Sequence, residues 1–235
     1  AREVLKNETI AVKFTVPQIE MQHVTKYFTN EQRRFTAIDD VSLTIERGEF
    51  VFLIGSSGAG KTTLLRLLAN QIVADEGKIW LDDVELTRLR GWRRPVYRRN
   101  IGQVWQDASL IRKKTVRQNL ELVQRALGVK SKVIPENTRK ALSIVGMRAM
   151  EDRYPFELSG GQVKMVELAR AIICNPPILI VDEITANLDY DTGWDIMNIL
   201  NEINRCGTTV IMATHAKDFV NIMCRRVVTL VAGKI

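Results

Sequence analysis

Gly55-Ser56-Ser57-Gly58-Ala59-Gly60-Lys61-Thr62-Thr63 is the stretch whose residue types and spacing carry the most chemistry in this chain. It has the form G-x-x-x-x-G-K-[ST]. In such a loop the glycines let successive backbone N–H groups curl around phosphate oxygens, and the helix N-terminus behind them adds partial positive charge. Lys61 has the length to reach the β and γ phosphates, and the Thr62 hydroxyl suits a Mg²⁺ ion beside them. A glycine-rich turn without a ligand fits the same composition. The context favours the phosphate loop, because apolar Phe50–Ile54 precedes it and a helix opening Leu64-Leu65 follows, the strand-to-helix setting of a Walker A motif.

Two further stretches have chemistry of their own. Ile178-Leu179-Ile180-Val181-Asp182-Glu183 reads as a buried parallel strand ending in two acids. Asp182 is placed to hold the hydration shell of Mg²⁺, and Glu183, on the other side of the backbone, to orient or deprotonate an attacking water. Taken alone, two acids at a strand end describe a solvated turn equally well; lying downstream of a Walker A loop, they read as Walker B. Leu158-Ser159-Gly160-Gly161-Gln162 precedes a helical pattern, with Ser159 as its N-cap and bare glycine N–H groups behind, a second helix N-terminus suited to phosphate. A capped helix with a flexible entry is the plain alternative.

The elements that must position these groups alternate. Strand patterns over Ile19–Val24, Val41–Ile45 and Phe50–Ile54 are followed by a helix over Lys61–Asn70 and a strand over Lys78–Leu81. Later come a helix over Gln162–Ile173, a strand over Ile178–Val181, a helix over Thr192–Arg205, and strands over Thr208–Met212 and Val227–Val231. The alternation predicts an α/β fold with a mainly parallel sheet, and the crowded early strands predict an antiparallel β lobe attached to it. Val116–Met150 is helical in pattern, broken by Gly128, Pro135 and Gly146, and reads as an inserted helical subdomain over about 107–157. Residues 1–17 are expected to be an N-terminal extension and 18–235 one domain.

At 235 residues, 46% apolar and 26% charged, the composition excludes disordered, collagen-like and coiled-coil classes. No apolar run approaches the roughly 20 residues of a membrane span, and Ala1–Thr15 lacks the continuous apolar stretch of a secretory signal. Cys174, Cys206 and Cys224 form no C-x-x-C pair, which suits a reducing compartment and packing roles. The formal charge of +7 is concentrated: Arg88–Arg117 holds ten basic residues against the single acid Asp107, with Trp92, Tyr97 and Trp105 interleaved. Nucleic acid, an anionic membrane surface, an acidic partner and a merely solvated face all fit that composition.

Walker A, Leu158–Gln162, Walker B, Glu183 and a downstream Thr214-His215 stand in the order found in ATP-binding-cassette (ABC) ATPases, and the chain resembles that family over nearly its whole length. The resemblance implies an ABC-type P-loop NTPase: a RecA-like sheet core, an antiparallel β lobe and an inserted helical subdomain, hydrolysing ATP with Mg²⁺. Ser159, Gly160, Gly161 and Gln162 would be the signature, facing the γ-phosphate held by another subunit, so that two ATP molecules are sandwiched in a head-to-tail homodimer. Gln106, in Val104-Trp105-Gln106-Asp107, would be the Q-loop ligand of metal and water; His215 would be the switch histidine at the γ-phosphate. Asp189, in Ala186-Asn187-Leu188-Asp189, would belong to the D-loop. Phe28 would stack on adenine, with Tyr27 the alternative. A surface amide and a packing histidine are the plain readings of Gln106 and His215.

Within the family, Gly48–Gly55, Gly77–Trp80, Ile101–Asp107 and Ile203–His215 are most similar to the FtsE-type cell-division branch. That similarity implies an FtsX-like integral membrane partner at the cytoplasmic face of the bacterial plasma membrane, regulating peptidoglycan hydrolases. A transporter subunit for lipoprotein release or macrolide export is the alternative, with a nucleic-acid-associated ATPase behind it; no nucleic-acid partner is expected. The chain departs from the family pattern at Ile184, where proline is usual, at Val163, Lys164 and Met165 after the signature, and at Ala216 after the histidine.

Overall fold

Residues 18–29, 33–89, 91–107 and 109–235 are described by the structure, a computed structural model. The expected extension over 1–17 and Arg90 of the basic segment lie outside them. Strands β1 (Ile19–Thr29) and β2 (Arg34–Ile45) form an antiparallel pair. The chain continues through β3 (Phe50–Ile54), α1 (Lys61–Leu68), β4 (Glu76–Leu81), β5 (Val84–Glu85), the short α2 (Arg94–Arg98) and β6 (Ile101–Val104). Helices α3 (Val116–Ala126), α4 (Ile134–Ile144) and α5 (Gly160–Ile172) follow, then β7 (Ile178–Asp182), α6 (Tyr190–Arg205), β8 (Thr209–Ala213), α7 (Lys217–Met223) and β9 (Arg226–Thr229).

Two sheets result. The lobe has the order β2-β1-β4-β5 and is antiparallel; the core sheet has the order β6-β7-β8-β3-β9 and is parallel throughout. The core strands are apolar on both faces, and their alternation divides them between two hydrophobic cores. Phe50, Phe52, Val104, Leu179, Val181, Val210 and Met212 point into one core with α5, α6 and the helical lobe. Val51, Leu53, Ile101, Ile178, Ile180, Ile211 and Val228 point into the other, with α1 and the β lobe. This is the pattern of a parallel sheet covered on both sides. Each fully buried Leu, Ile, Val or Phe contributes about 1.5–3 kcal/mol relative to exposure.

The lobe strands are longer than their alternation suggests. Between Met21 and Val24 and again between Gln22 and Thr25 the pairing register shifts, and His23 takes a positive φ of 51°. Such a bulge breaks the in–out pattern while pairing resumes beyond it, so β1 runs on to Thr29. In the helical lobe, α3 opens with a reciprocal capping box: Thr115 Oγ1 accepts from the Gln118 N–H, and the Thr115 N–H donates to Gln118 Oε1. Pro135 begins α4, where its missing N–H costs nothing, and does not interrupt a helix. Gln124 Nε2 donates to Thr138 Oγ1 at 2.9 Å within the buried α3/α4 seam, and both helices pack on α5.

Residues after β9 return to the phosphate loop. The Leu230 N–H donates to the Ile54 carbonyl at 2.8 Å, the Gly233 N–H to the Ala59 carbonyl at 3.0 Å, and the Asp39 N–H of β2 to the Gly233 carbonyl at 2.9 Å. One short turn thus joins core sheet, loop and lobe.

Candidate nucleotide site

The loop between β3 and α1 is shaped by close approach of backbone. Gly60, the residue before α1, has a φ of 104°, and a Cβ there would stand 2.5 Å from the Ala37 carbonyl. Only glycine fits both the dihedral and the space. Lys61 is almost fully buried; its Nζ donates to the carbonyls of Gly55 (3.0 Å) and Ser56 (3.1 Å), so the ammonium lies folded inside the curl of its own loop.

Asp182 is the last residue of β7, and Glu183 follows just beyond the strand. Asp182 is 2% exposed and its Oδ2 accepts from Thr62 Oγ1 at 2.9 Å. Burial pushes the Asp182 carboxyl up from the usual aspartate range; the Glu183 charge adds to the shift and the Thr62 hydrogen bond opposes it. Asp182 Oδ1 is buried without a hydrogen-bond partner. A hydroxyl and a carboxylate side by side, one carboxylate oxygen lacking any donor, form an oxygen set that fits a hard cation such as Mg²⁺. Among the described residues no group of three or more His, Cys, Asp and Glu could hold a metal, so such an ion would draw its remaining ligands from water and phosphate.

Glu183 sits at a positive φ of 49°, a sparsely populated conformation for a residue with a side chain. Its N–H donates to the Ala213 carbonyl at 3.0 Å, and its side chain swings toward α1 and the end of β8. There Glu183 Oε1 lies 2.9 Å from His215 Nε2 and 4.0 Å from Lys61 Nζ, while His215 Nε2 is also 3.0 Å from Lys61 Nζ. A single ring nitrogen therefore faces both a cation and an anion. Incoming phosphate would compete directly for the lysine.

A cavity of about 530 Å³ opens onto Lys61, Thr62, Glu183 and His215, while Asp182 is not among its lining residues. Ser57, Gly58, Gly60, Lys61, Thr62, Thr63, Gln106, Glu183 and His215 line it, and Phe28 closes its far end. Tyr27, the alternative aromatic, faces elsewhere: its hydroxyl donates to Glu76 Oε1 at 2.9 Å and its ring carries the Arg34 guanidinium at 3.5 Å. Four lining residues, Phe35, Thr36, Ala37 and Arg66, escape the sequence reading. Phe35, opposite Phe28 in the β1/β2 register with ring centroids 5.8 Å apart, doubles the apolar end; its signal was an aromatic in the hairpin partner of Phe28. Thr36, Ala37 and Arg66 also line the cavity; their residue types alone gave no signal.

Other expected site residues lie outside this cavity. Ser159 caps α5, its Oγ accepting from the Gln162 N–H (3.3 Å) and its own N–H donating to Gln162 Oε1 (3.0 Å). Ser159 and Gly160 are exposed, while Gly161 and Gln162 are half-buried. Asp189 caps α6; the Thr192 N–H donates to its Oδ1 at 2.9 Å and holds its carboxyl below the usual range. The residues that replace the family's polar pattern after the signature have places of their own. Met165 is buried in the core and Val163 packs against it. Lys164 Nζ donates to the carbonyls of Trp105 (3.0 Å) and Gln106 (2.6 Å).

Comparison with known proteins places this geometry. Residues 38–186 match the family model described as "ABC transporter". The chain is 38% identical to the cell division ATP-binding protein FtsE of Streptococcus pneumoniae, over 92% of this chain and 93% of that one. It is 41% identical to FtsE of Mycobacterium tuberculosis, over 92% and 94%. It is also 37% identical to the methionine import ATP-binding protein MetN 4 of Oceanobacillus iheyensis, over 92% of this chain and 63% of that one. Among solved structures, the dimeric post-hydrolysis state of the ATP-binding cassette MJ0796 bound to ADP and Pi superposes with a TM-score of 0.85 at 30% identity, over 92% of this chain and 96% of that one. With a family model matched over 38–186 and a fold superposing on an ATP-binding cassette over 92% of its length, this chain belongs to the ABC transporter family and is an ABC ATPase.

Proposed function

We propose that this ATPase is the nucleotide-driven subunit of an FtsEX-like cell-division complex. The observation that carries the reading is the 38–41% identity to FtsE proteins of three bacterial species over 92% of this chain. MetN relatives at 36–37% identity support a second reading, the ATPase subunit of a transporter. Among the described residues no helix is long and apolar enough to cross a membrane, so either role requires a membrane subunit at the cytoplasmic face.

ATP lies in the 530 Å³ cavity with adenine toward Phe28 and Phe35 and its phosphates in the loop from Gly55 to Thr63. Lys61 leaves the Gly55 and Ser56 carbonyls for the β and γ phosphates. Thr62, Asp182 and Gln106 would hold Mg²⁺, which when bound would neutralise charge developing on the phosphate oxygens. Glu183 accepts a proton from water as its oxygen bonds to the γ phosphorus and the bond to the ADP oxygen breaks. His215, 2.9 Å from Glu183, contacts the γ-phosphate. Ser159 to Gln162 and Asp189 serve the nucleotide of a second copy in a head-to-tail dimer, as their place outside the cavity and the exposure of Ser159, Gly160 and Asp189 support. Closure follows only because the sandwiched state contacts ATP better than the open one.

The partner docks in a groove of about 310 Å³ lined by Pro95, Arg98, Arg99, Val123, Leu127 and Arg170. Its apolar floor and three arginines fit a short amphipathic helix bearing acidic residues. Of the aromatics in the basic segment, Tyr97 and Trp105 pack against the core and only Trp92 is strongly exposed, which is too few for a base-stacking platform. The test is recovery of Glu183→Gln with ATP from solubilised membranes and identification of its membrane subunit. An FtsX-like protein, recovered less by Glu183→Gln carrying Arg99→Glu, is expected. A substrate-translocating permease would replace this reading with the transporter one.

A further inference from the structure

The loop that follows β6 is fastened at both ends to one turn of α5. At its start, Lys164 Nζ binds the carbonyls of Trp105 and Gln106; at its end, Glu167 accepts from both the N–H and the hydroxyl of Ser109. Lys164 and Glu167 pair with each other at 3.0 Å, their side chains 12% and 1% exposed. Arg170, one turn further along α5, donates to the Ser109 carbonyl at 2.8 Å and to its hydroxyl. Three donors, the Lys164 ammonium and the N–H and hydroxyl of Ser109, thus meet the buried Glu167 side chain. Gln106 itself keeps an exposed side chain that reaches the nucleotide cavity.

We propose that Lys164 and Glu167 are positioning residues that lock the loop carrying Gln106 to the signature helix. The loop then moves with α5 and the helical lobe, not with the sheet strand it leaves, so engagement of Ser159 and placement of Gln106 become one motion. The ammonium binds the backbone of Gln106 and leaves its amide free, so the lock sets where the amide stands without occupying it. This inference rests on the reading of Gln106 as a ligand of metal and water.

The test compares Lys164→Met, Lys164→Arg and Gln106→Ala in the full chain. Backbone amide exchange of the 105–109 segment is measured without nucleotide, and kcat, KM for ATP and half-saturating Mg²⁺ are measured below each variant's melting temperature. Lys164→Met is expected to speed exchange of the segment at least tenfold, to lower kcat and to raise half-saturating Mg²⁺ by about tenfold each, the range for partners that orient a metal ligand, with KM for ATP within threefold. Lys164→Arg, whose fork spans two carbonyls, is expected to stay within about threefold of the parent in all readouts. Unchanged exchange in Lys164→Met, fast exchange with normal kcat and Mg²⁺ dependence, or equal losses in the Arg and Met variants would each overturn the lock. Normal kinetics in Gln106→Ala would instead remove the Gln106 reading, with the exchange data still deciding whether the loop is locked.

Discussion

The two helix N-termini that we propose bind phosphate, those of α1 and α5, are built to different degrees. That of α1 lies against buried Lys61 and Asp182, crossed by a network that already joins Thr62, Glu183 and His215. That of α5 is exposed, satisfied only by its own capping box, and separate from the cavity. A catalytic half that is assembled within one chain can bind nucleotide alone. A half whose donors point outward contributes only when a second surface meets it. On the proposed roles of the two termini, the difference predicts that binding and hydrolysis are separable by which terminus is damaged.

Three substitutions would break or sharpen that contrast. The largest effect is expected from Glu183→Gln, which removes the proposed base but leaves the loop. Hydrolysis should fall by about 10²–10⁴-fold while ATP binding persists, and size-exclusion chromatography with ATP should resolve a trapped dimer. Turnover at the parent rate would remove Glu183 from the chemistry. Next is Ser159→Ala, which leaves the α1 half intact. Turnover should drop about tenfold and its rise with protein concentration should flatten, with nucleotide affinity at high dilution unchanged. Equal loss of affinity would mean that the two termini are not independent.

The smallest effect concerns stability. Because burial raises the Asp182 carboxyl above its unfolded value, folding of the ligand-free chain favours the protonated form. Stability from this group is complete below the unfolded value near 3.8 and is lost as pH rises through the higher folded value. Asp182→Asn should therefore raise the melting temperature of the ligand-free chain by a few degrees at pH 7–8 and leave it unchanged at about pH 3.5. A melting temperature lowered at neutral pH would show that the carboxylate is stabilising where it stands.

Most of the α1 half was legible in the sequence because its requirements are local. A fixed spacing of glycines, lysine and threonine between a strand and a helix leaves few alternatives, and Asp182 and Glu183 are marked by the apolar run that precedes them. The elements that escaped did so for nonlocal reasons. β6 is four residues long and contains Gly102, where a Cβ would stand 2.7 Å from the Ala171 carbonyl; a glycine demanded by α5 packing looks in sequence like a strand breaker. β2 begins at Arg34, before any alternation, because β1 continues through a bulge and offers it a partner, and Phe35 enters the cavity by that route. Lys164 read as a departure from a pattern. Its meaning lies in two backbone carbonyls far away in the chain, which no spacing encodes.

The turn after β9 bears on how the protein is made. Gly233 holds the Ala59 carbonyl and Leu230 the Ile54 carbonyl, so the phosphate loop is braced by residues that leave the ribosome long after it does. During N-to-C synthesis the loop, α1 and both acids emerge first and wait without that brace. A nascent chain stalled before Leu230 should have its motifs complete and its grip on nucleotide unformed, which delays ATP-driven pairing until the turn after β9 has closed on the loop.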